Sequence, residues 1–221
     1  MIINSEVTRT LISLVLLVLL SASPPVQANG DTVLVFGDSI SAGYGLDQQK
    51  GWVHLLSEKL TRENLEFQVV NASVSGETTD GGLLRLPKSL EIHQPDLIIL
   101  ELGGNDGLRG YPVGRIKKNL GEMIELGLDA GAQVLLIGMV LPPNYGQRYT
   151  KSFEAVFAEL AEQYDIGFVP RLLEGVETRR RLIQRDGIHP TAEAQPLILE
   201  DVWPALKEQI KATTSIEARS S

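Results

Sequence analysis

The run TVLVF at residues 32–36 passes directly into GDSISAG at residues 37–43. After Thr32 the run has no polar alternation, which describes a strand buried on both faces, as in a parallel sheet covered by helices. The glycine and small polar residues behind it end the strand abruptly. The same pattern recurs along the chain. EFQVV at 66–70 leads into NASVSGET at 71–78, and LIILEL at 97–102 leads into GGNDG at 103–107. QVLLIG at 133–138 and the short GFV at Gly167–Val169 complete five strand candidates.

Helical spacing fills the intervals. Trp52, Leu55, Leu56 and Leu60 mark one apolar face; Leu83, Leu84, Leu86 and Leu90 mark a second. Ile116, Leu120, Met123 and Ile124 form a third, and Phe153, Val156, Phe157 and Leu160 a fourth. Ile198, Val202, Leu206 and Ile210 recur every four residues as a closing helix. Alternating strands and helices imply right-handed crossovers and an α/β fold: a three-layer α/β/α arrangement around a mostly parallel five-stranded sheet. In such sheets ligands bind outside the carboxyl ends of the strands.

Composition narrows the chemistry. The chain has 221 residues, 20 Lys+Arg against 28 Asp+Glu, a formal charge of −8 and no cysteine. Thiol nucleophiles, thiolate metal sites and disulfides are therefore excluded, and an acidic chain is a poor match for nucleic acid. Residues 11–20 (LISLVLLVLL) are too short a run to span a bilayer, which takes about 20 apolar residues. Arg9 precedes the run and Val26-Gln27-Ala28 follows it, the pattern of a secretory signal cut after Ala28. The expected organisation is a signal peptide at 1–28, one domain at 29–211 and a flexible tail at 212–221.

Three strand ends and one later loop, DGIHP at 186–190, concentrate the polar residues. Ser39 stands on a tight turn after the first strand, where a hydroxyl is exposed as a nucleophile; serine there also suits a helix N-cap. A serine nucleophile needs a base within hydrogen-bond reach. His54 and His93 sit in helical patterns, whereas His189 follows Asp186 by three residues, so one loop can hold carboxylate against imidazole. The Ser39 and Gly76 N–H groups and the Asn105 amide are candidate oxyanion donors. Asp38 reads as a structural hydrogen-bonding residue. Competing motifs fail: G-x-G-x-x-G and G-K-[ST] are missing, three scattered histidines make a poor metal site, and Ser41 replaces the second glycine of G-x-S-x-G.

GDSISAGYGL, NASVSGETT, ELGGNDGLRG and DGIHP together resemble the SGNH hydrolases, the GDSL esterases and lipases, most closely their periplasmic thioesterase–protease–lysophospholipase group. The likeness extends through LPPNYGQRY at 141–149. It implies a flavodoxin-like SGNH hydrolase fold, with Ser39 as nucleophile, His189 as base and Asp186 as orienter. Ser39, Gly76 and Asn105 become the oxyanion hole. It also implies a monomer with no metal, acting on an acyl ester or lysophospholipid; no cofactor is expected, and the acidic charge and the short apolar run speak against nucleic acid and against a membrane span after signal cleavage. Loops 107–112 and 140–149 are the expected acyl-groove walls, offering Leu108, Arg109, Tyr111, Leu141, Pro142 and Tyr145. A sugar acetyl-esterase of the same superfamily and a noncatalytic binding module are the alternatives.

Overall fold

The computed structural model describes residues 31–220, with side chains through Thr213; the expected signal segment lies outside the described residues. Five strands form one parallel sheet in the order β2-β1-β3-β4-β5: β1 Asp31–Gly37, β2 Phe67–Asn71, β3 Leu97–Glu101, β4 Gln133–Ile137 and β5 Gly167–Val169. Each lies within a residue or two of its expected run. Seven α-helices are described: α1 Ser39–Ala42, α2 Trp52–Arg62, α3 Thr79–His93, α4 Gly104–Leu108, α5 Val113–Asp129, α6 Gln147–Tyr164 and α7 Gln195–Ser220. None among the described residues is long and apolar enough to cross a membrane.

The two-residue period of the strands divides the core. Val33, Val35, Leu97, Ile99, Leu135 and Ile137 pack under Trp52, Leu56 and Leu60 of α2 and Ile198, Val202 and Leu206 of α7. Leu34, Phe36, Ile98, Leu100, Val134 and Leu136 point the other way, against Leu86 of α3, Ile116 and Leu120 of α5 and Phe153 and Phe157 of α6. Central strands buried on both faces explain why their sequences show no alternation. Edge strand β2 is only partly covered.

One local expectation changes. Leu84 is 85% exposed, because Leu83, Leu86 and Leu90 share one side of α3 and Leu84 falls off that stripe. The helix after Ser39 is a single turn, closed by Gly43 in the left-handed region at φ 72°, and the long helix starts only at Trp52. The closing helix α7 runs to Ser220. Thr213 is buried and its hydroxyl donates to the Gln209 carbonyl.

The chain leaves β1 for β2 on one side and returns to β3 on the other. That reversal opens a crevice beyond the carboxyl ends of β1 and β3, where Ser39 and Asn105 follow their strands.

Candidate active site

The loop after β2 is pinned to the end of β1. The Val74 N–H donates to the Gly37 carbonyl (3.0 Å), and the Gly37 N–H donates to Ser73 Oγ (3.1 Å). Asn71 Nδ2 donates to the Ser41 carbonyl (2.8 Å). Gly76 thus lies beside the turn that bears Ser39, at φ 80°, a left-handed conformation that suits glycine. Behind it, buried Asp106 accepts both the N–H (2.9 Å) and the hydroxyl (2.6 Å) of Thr79, clasping α4 to the start of α3. Asn119 donates to Thr79 Oγ1 (3.1 Å) from α5. Asn105 and Gly76 therefore belong to elements locked together by buried polar bonds.

His189 Nε2 lies 2.9 Å from Ser39 Oγ, and His189 Nδ1 lies 2.7 Å from Asp186 Oδ2. The Asp186 Oδ1 accepts the backbone N–H groups of Ile188 (3.0 Å) and His189 (3.1 Å). Those backbone donors, with the imidazole, lower the Asp186 pKa to about 2. An ionised Asp186 holds the proton on Nδ1 and leaves Nε2 to accept from serine. The loop is braced by the Gln184 side chain, which donates to the Tyr44 (2.8 Å) and Pro190 (2.9 Å) carbonyls. The Tyr44 ring lies 4.4 Å from the imidazole, tilted 34°. His54 is elsewhere, 3.5 Å from Glu58 on α2, and His93 ends α3.

The candidate oxyanion donors are available. Neither the Ser39 N–H nor the Gly76 N–H has an acceptor among the described residues. Asn105 Nδ2 donates one hydrogen to Asp38 Oδ2 (3.0 Å), which leaves the other hydrogen unspent. Asp38 caps α1 through the Ile40 N–H (3.0 Å), so one carboxylate sets both the serine turn and the asparagine amide.

Under this pair lies a group that sequence reading passed over. Glu101 is fully buried, and its Oε2 accepts the Ser41 hydroxyl (2.6 Å) and the Asp38 N–H (3.2 Å). Gly37 permits the approach, since a Cβ there would collide with that oxygen. An acid inside the apolar run LIILEL was the available signal. Burial, then the neighbouring Asp38, pushes the Glu101 pKa well up, and burial raises Asp38 to about 6. Carboxyls with raised folded pKa values favour the fold in acid, and that contribution is lost as pH rises from about 4 through about 6. Glu101→Gln keeps the accepting oxygen and cannot ionise. Its melting temperature is expected to fall less than that of wild type between pH 5 and 8, at about 2–4 °C per kcal/mol for a chain this size. Parallel curves for the two proteins would contradict a charging cost at Glu101.

The two expected groove walls are joined by phenols. Tyr145 Oη donates to the Leu108 carbonyl (2.9 Å), and Tyr149 Oη donates to the Tyr111 carbonyl (2.7 Å). Leu141 is only 5% exposed, packed in the core with Phe153, so it backs the wall instead of facing solvent. Pro142 is exposed, and Arg109 reaches the Gly76 carbonyl at 3.3 Å. Of these candidates, Tyr145 alone lines the open groove of about 500 Å³ that runs along Val113, Arg148 and Tyr149.

Ser39, His189 and Asp186 form a relay that can activate a hydroxyl, and unspent N–H groups stand beside it. This is the equipment of acyl transfer. The model of the GDSL-like Lipase/Acylhydrolase family matches residues 35–196. The chain is 50% identical over 181 residues to the esterase TesA of Pseudomonas aeruginosa, covering 82% of this chain and 90% of that one. It is 41% identical over 182 residues to thioesterase 1/protease 1/lysophospholipase L1 of Escherichia coli K12, covering 82% and 85% respectively. A crystal structure of TesA superposes with a TM-score of 0.80 at 50% identity, over 81% of this chain and 99% of that one.

Proposed function

The chain belongs to the GDSL-like lipase/acylhydrolase family, and from that premise we propose that its natural substrates are lysophospholipids and small carboxylic esters, cleaved by Ser39, His189 and Asp186. That it hydrolyses esters and thioesters as an SGNH serine enzyme follows from the family and its named relatives. The observation that carries the assignment of residues is the unbroken relay from Ser39 Oγ through His189 to Asp186.

In this reading His189 Nε2 takes the Ser39 proton as Oγ bonds to the acyl carbon. The carbonyl oxygen becomes an oxyanion held by the Ser39 and Gly76 N–H groups and the free Asn105 hydrogen. Its collapse breaks the bond to the alcohol or thiol, which leaves with the proton from His189. Water then attacks the acyl-enzyme, with His189 again accepting and returning a proton. Asp186 stabilises the transient imidazolium without itself being protonated.

Residues 11–20 and the triplet ending at Ala28 support export to the periplasm as a single domain at 29–211. Acyl-CoA is cytosolic, so an exported enzyme meets oxygen esters. Tyr145 offers its groove-lining face to the acyl chain, with Leu108, Tyr111 and Pro142 in the walls beside it and Leu141 behind.

The test is a rate profile on p-nitrophenyl esters from acetyl to palmitoyl. Turnover reaching medium or long chains is the expected result. Activity confined to acetyl would overturn the lipid reading in favour of sugar deacetylation.

A further inference from the structure

Arginines in this acidic protein are segregated by pairing. Arg62, Arg85, Arg115 and Arg171 each meet a carboxylate. The six other arginines whose side chains are described, at 109, 148, 179, 180, 181 and 185, make no ion pair among the described residues. All six lie on segments that follow the carboxyl ends of β3, β4 and β5, the edge that holds Ser39. Four of them crowd into residues 179–185, and all four are exposed.

That cationic strip is tied to the His189 loop through main-chain bonds, with no hydrogen bond or ion pair from an arginine side chain to the triad among the described residues. Ile183 bridges Pro190 in antiparallel fashion, the Gln184 N–H donates to the His189 carbonyl (2.7 Å), and the Thr191 N–H donates to the Leu182 carbonyl (2.8 Å). Leu182 is buried and anchors the ribbon, so the arginines on either side face out. Burial, then Glu174, Glu200 and Glu177 around it, raises the Asp201 pKa, and among the described residues none of these four acids pairs with the strip. Exposed apolar side chains share the edge. Ile188 is 49% exposed between Asp186 and His189, Tyr44 against His189 is 51% exposed, and Val74 and Val140 are 45% and 40% exposed.

We propose that this face docks on a membrane surface bearing anionic phospholipid. Arg179, Arg180, Arg181 and Arg185 meet lipid phosphates, while Ile188 and Tyr44 enter the headgroup layer beside the site. Arginine suits phosphate through its fork of donors, and an apolar tip within a basic rim is the composition of an interfacial contact. The net charge of −8 does not forbid it. Screening reaches about 8 Å at physiological salt, so distant acids contribute little and the local strip decides. The apolar tip favours lipid over a polyanionic chain as the occupant.

The surface is separable from ester cleavage, and Ser39→Ala protein as isolated from the exporting cell is the protein to test. Its partition would be measured onto vesicles of phosphatidylcholine alone and of phosphatidylcholine with phosphatidylglycerol in equal parts. Each basic residue near an anionic leaflet strengthens binding roughly fivefold. Binding is expected to be at least about tenfold tighter to the anionic vesicles, to weaken in high salt, and to lose that preference in Arg179→Gln/Arg180→Gln/Arg181→Gln/Arg185→Gln protein. The matching lysine variant should keep it. In the serine-containing protein, the glutamine variant should hydrolyse soluble p-nitrophenyl acetate within about twofold of wild type. Equal binding to both vesicle types, no binding, or a preference that survives the glutamine substitutions would overturn the proposal. So would binding to a single-stranded oligonucleotide without binding to vesicles.

Discussion

Ser39→Ala is expected to lower turnover of a medium-chain p-nitrophenyl ester by a factor on the order of 10⁴–10⁶, with the fold unchanged. Without Oγ no acyl-enzyme can form, and what survives is the contribution of binding and oxyanion stabilisation to direct attack by water. His189→Ala should fall to a similar floor, because Nε2, 2.9 Å from Oγ, is the only imidazole nitrogen within reach of Ser39 among the described residues. The double variant should be scarcely worse than either single one, since base and nucleophile act as a unit. Asp186→Asn should cost about 10⁴-fold while leaving the protein folded, because an amide can hold the ring in the wrong tautomer. The readout is kcat by steady-state kinetics, with a burst of p-nitrophenol released only by protein that retains Ser39. A Ser39→Ala protein within tenfold of wild type would sink the assignment of the nucleophile.

Asn105→Ala should reduce kcat by about 10²–10³-fold with little change in KM. The amide hydrogen that Asp38 leaves unspent acts on an oxygen that becomes fully negative only in the transition state. The variant also leaves Asp38 Oδ2 without its donor. Some loss of stability is therefore expected, and melting temperature must be measured beside the rate. Asp38→Asn separates the two effects: the amide oxygen can replace Oδ1 and still cap Ile40, while its NH2 takes the place of Oδ2 and no longer accepts from Asn105, so the helix cap should persist while the rate reports how firmly Asn105 must be held. A tenfold rise in KM at unchanged kcat for Asn105→Ala would mean that the residue binds substrate and does not stabilise the oxyanion.

The buried strands were legible because a strand covered on both faces has no polar positions to spare; TVLVF and LIILEL could fit almost nowhere else. The polar blocks at their ends were legible for the complementary reason, since the loops that meet at the crevice offer short polar residues the hydrogen-bond partners that the apolar core lacks, as they do for buried Asp38 and Asp106. Their likeness to a known family named the candidate triad and the donors in advance. Leu84 misled because a leucine counts toward an apolar stripe whether or not its angle on the helix suits it. Leu141 looked like groove lining, and only packing against Phe153 and Gly107 turned it inward.

Local sequence thus determined the α/β class, the five strand segments and the set of polar residues gathered at one sheet edge. Those depend on periodicity and chain direction, which act over a few residues. The tertiary structure alone decided how Asp38 divides itself between Ile40 and Asn105 and how Glu101 lies buried beneath them. It alone shows Asp106 clasping Thr79 and, on the face of the site, six arginines with no carboxylate partner among the described residues. Each of those is a meeting of groups from different strands, helices or loops. Hydrogen bonds and charge pairs need distances of about 3–4 Å, and distances between remote segments exist only once the sheet has set its order.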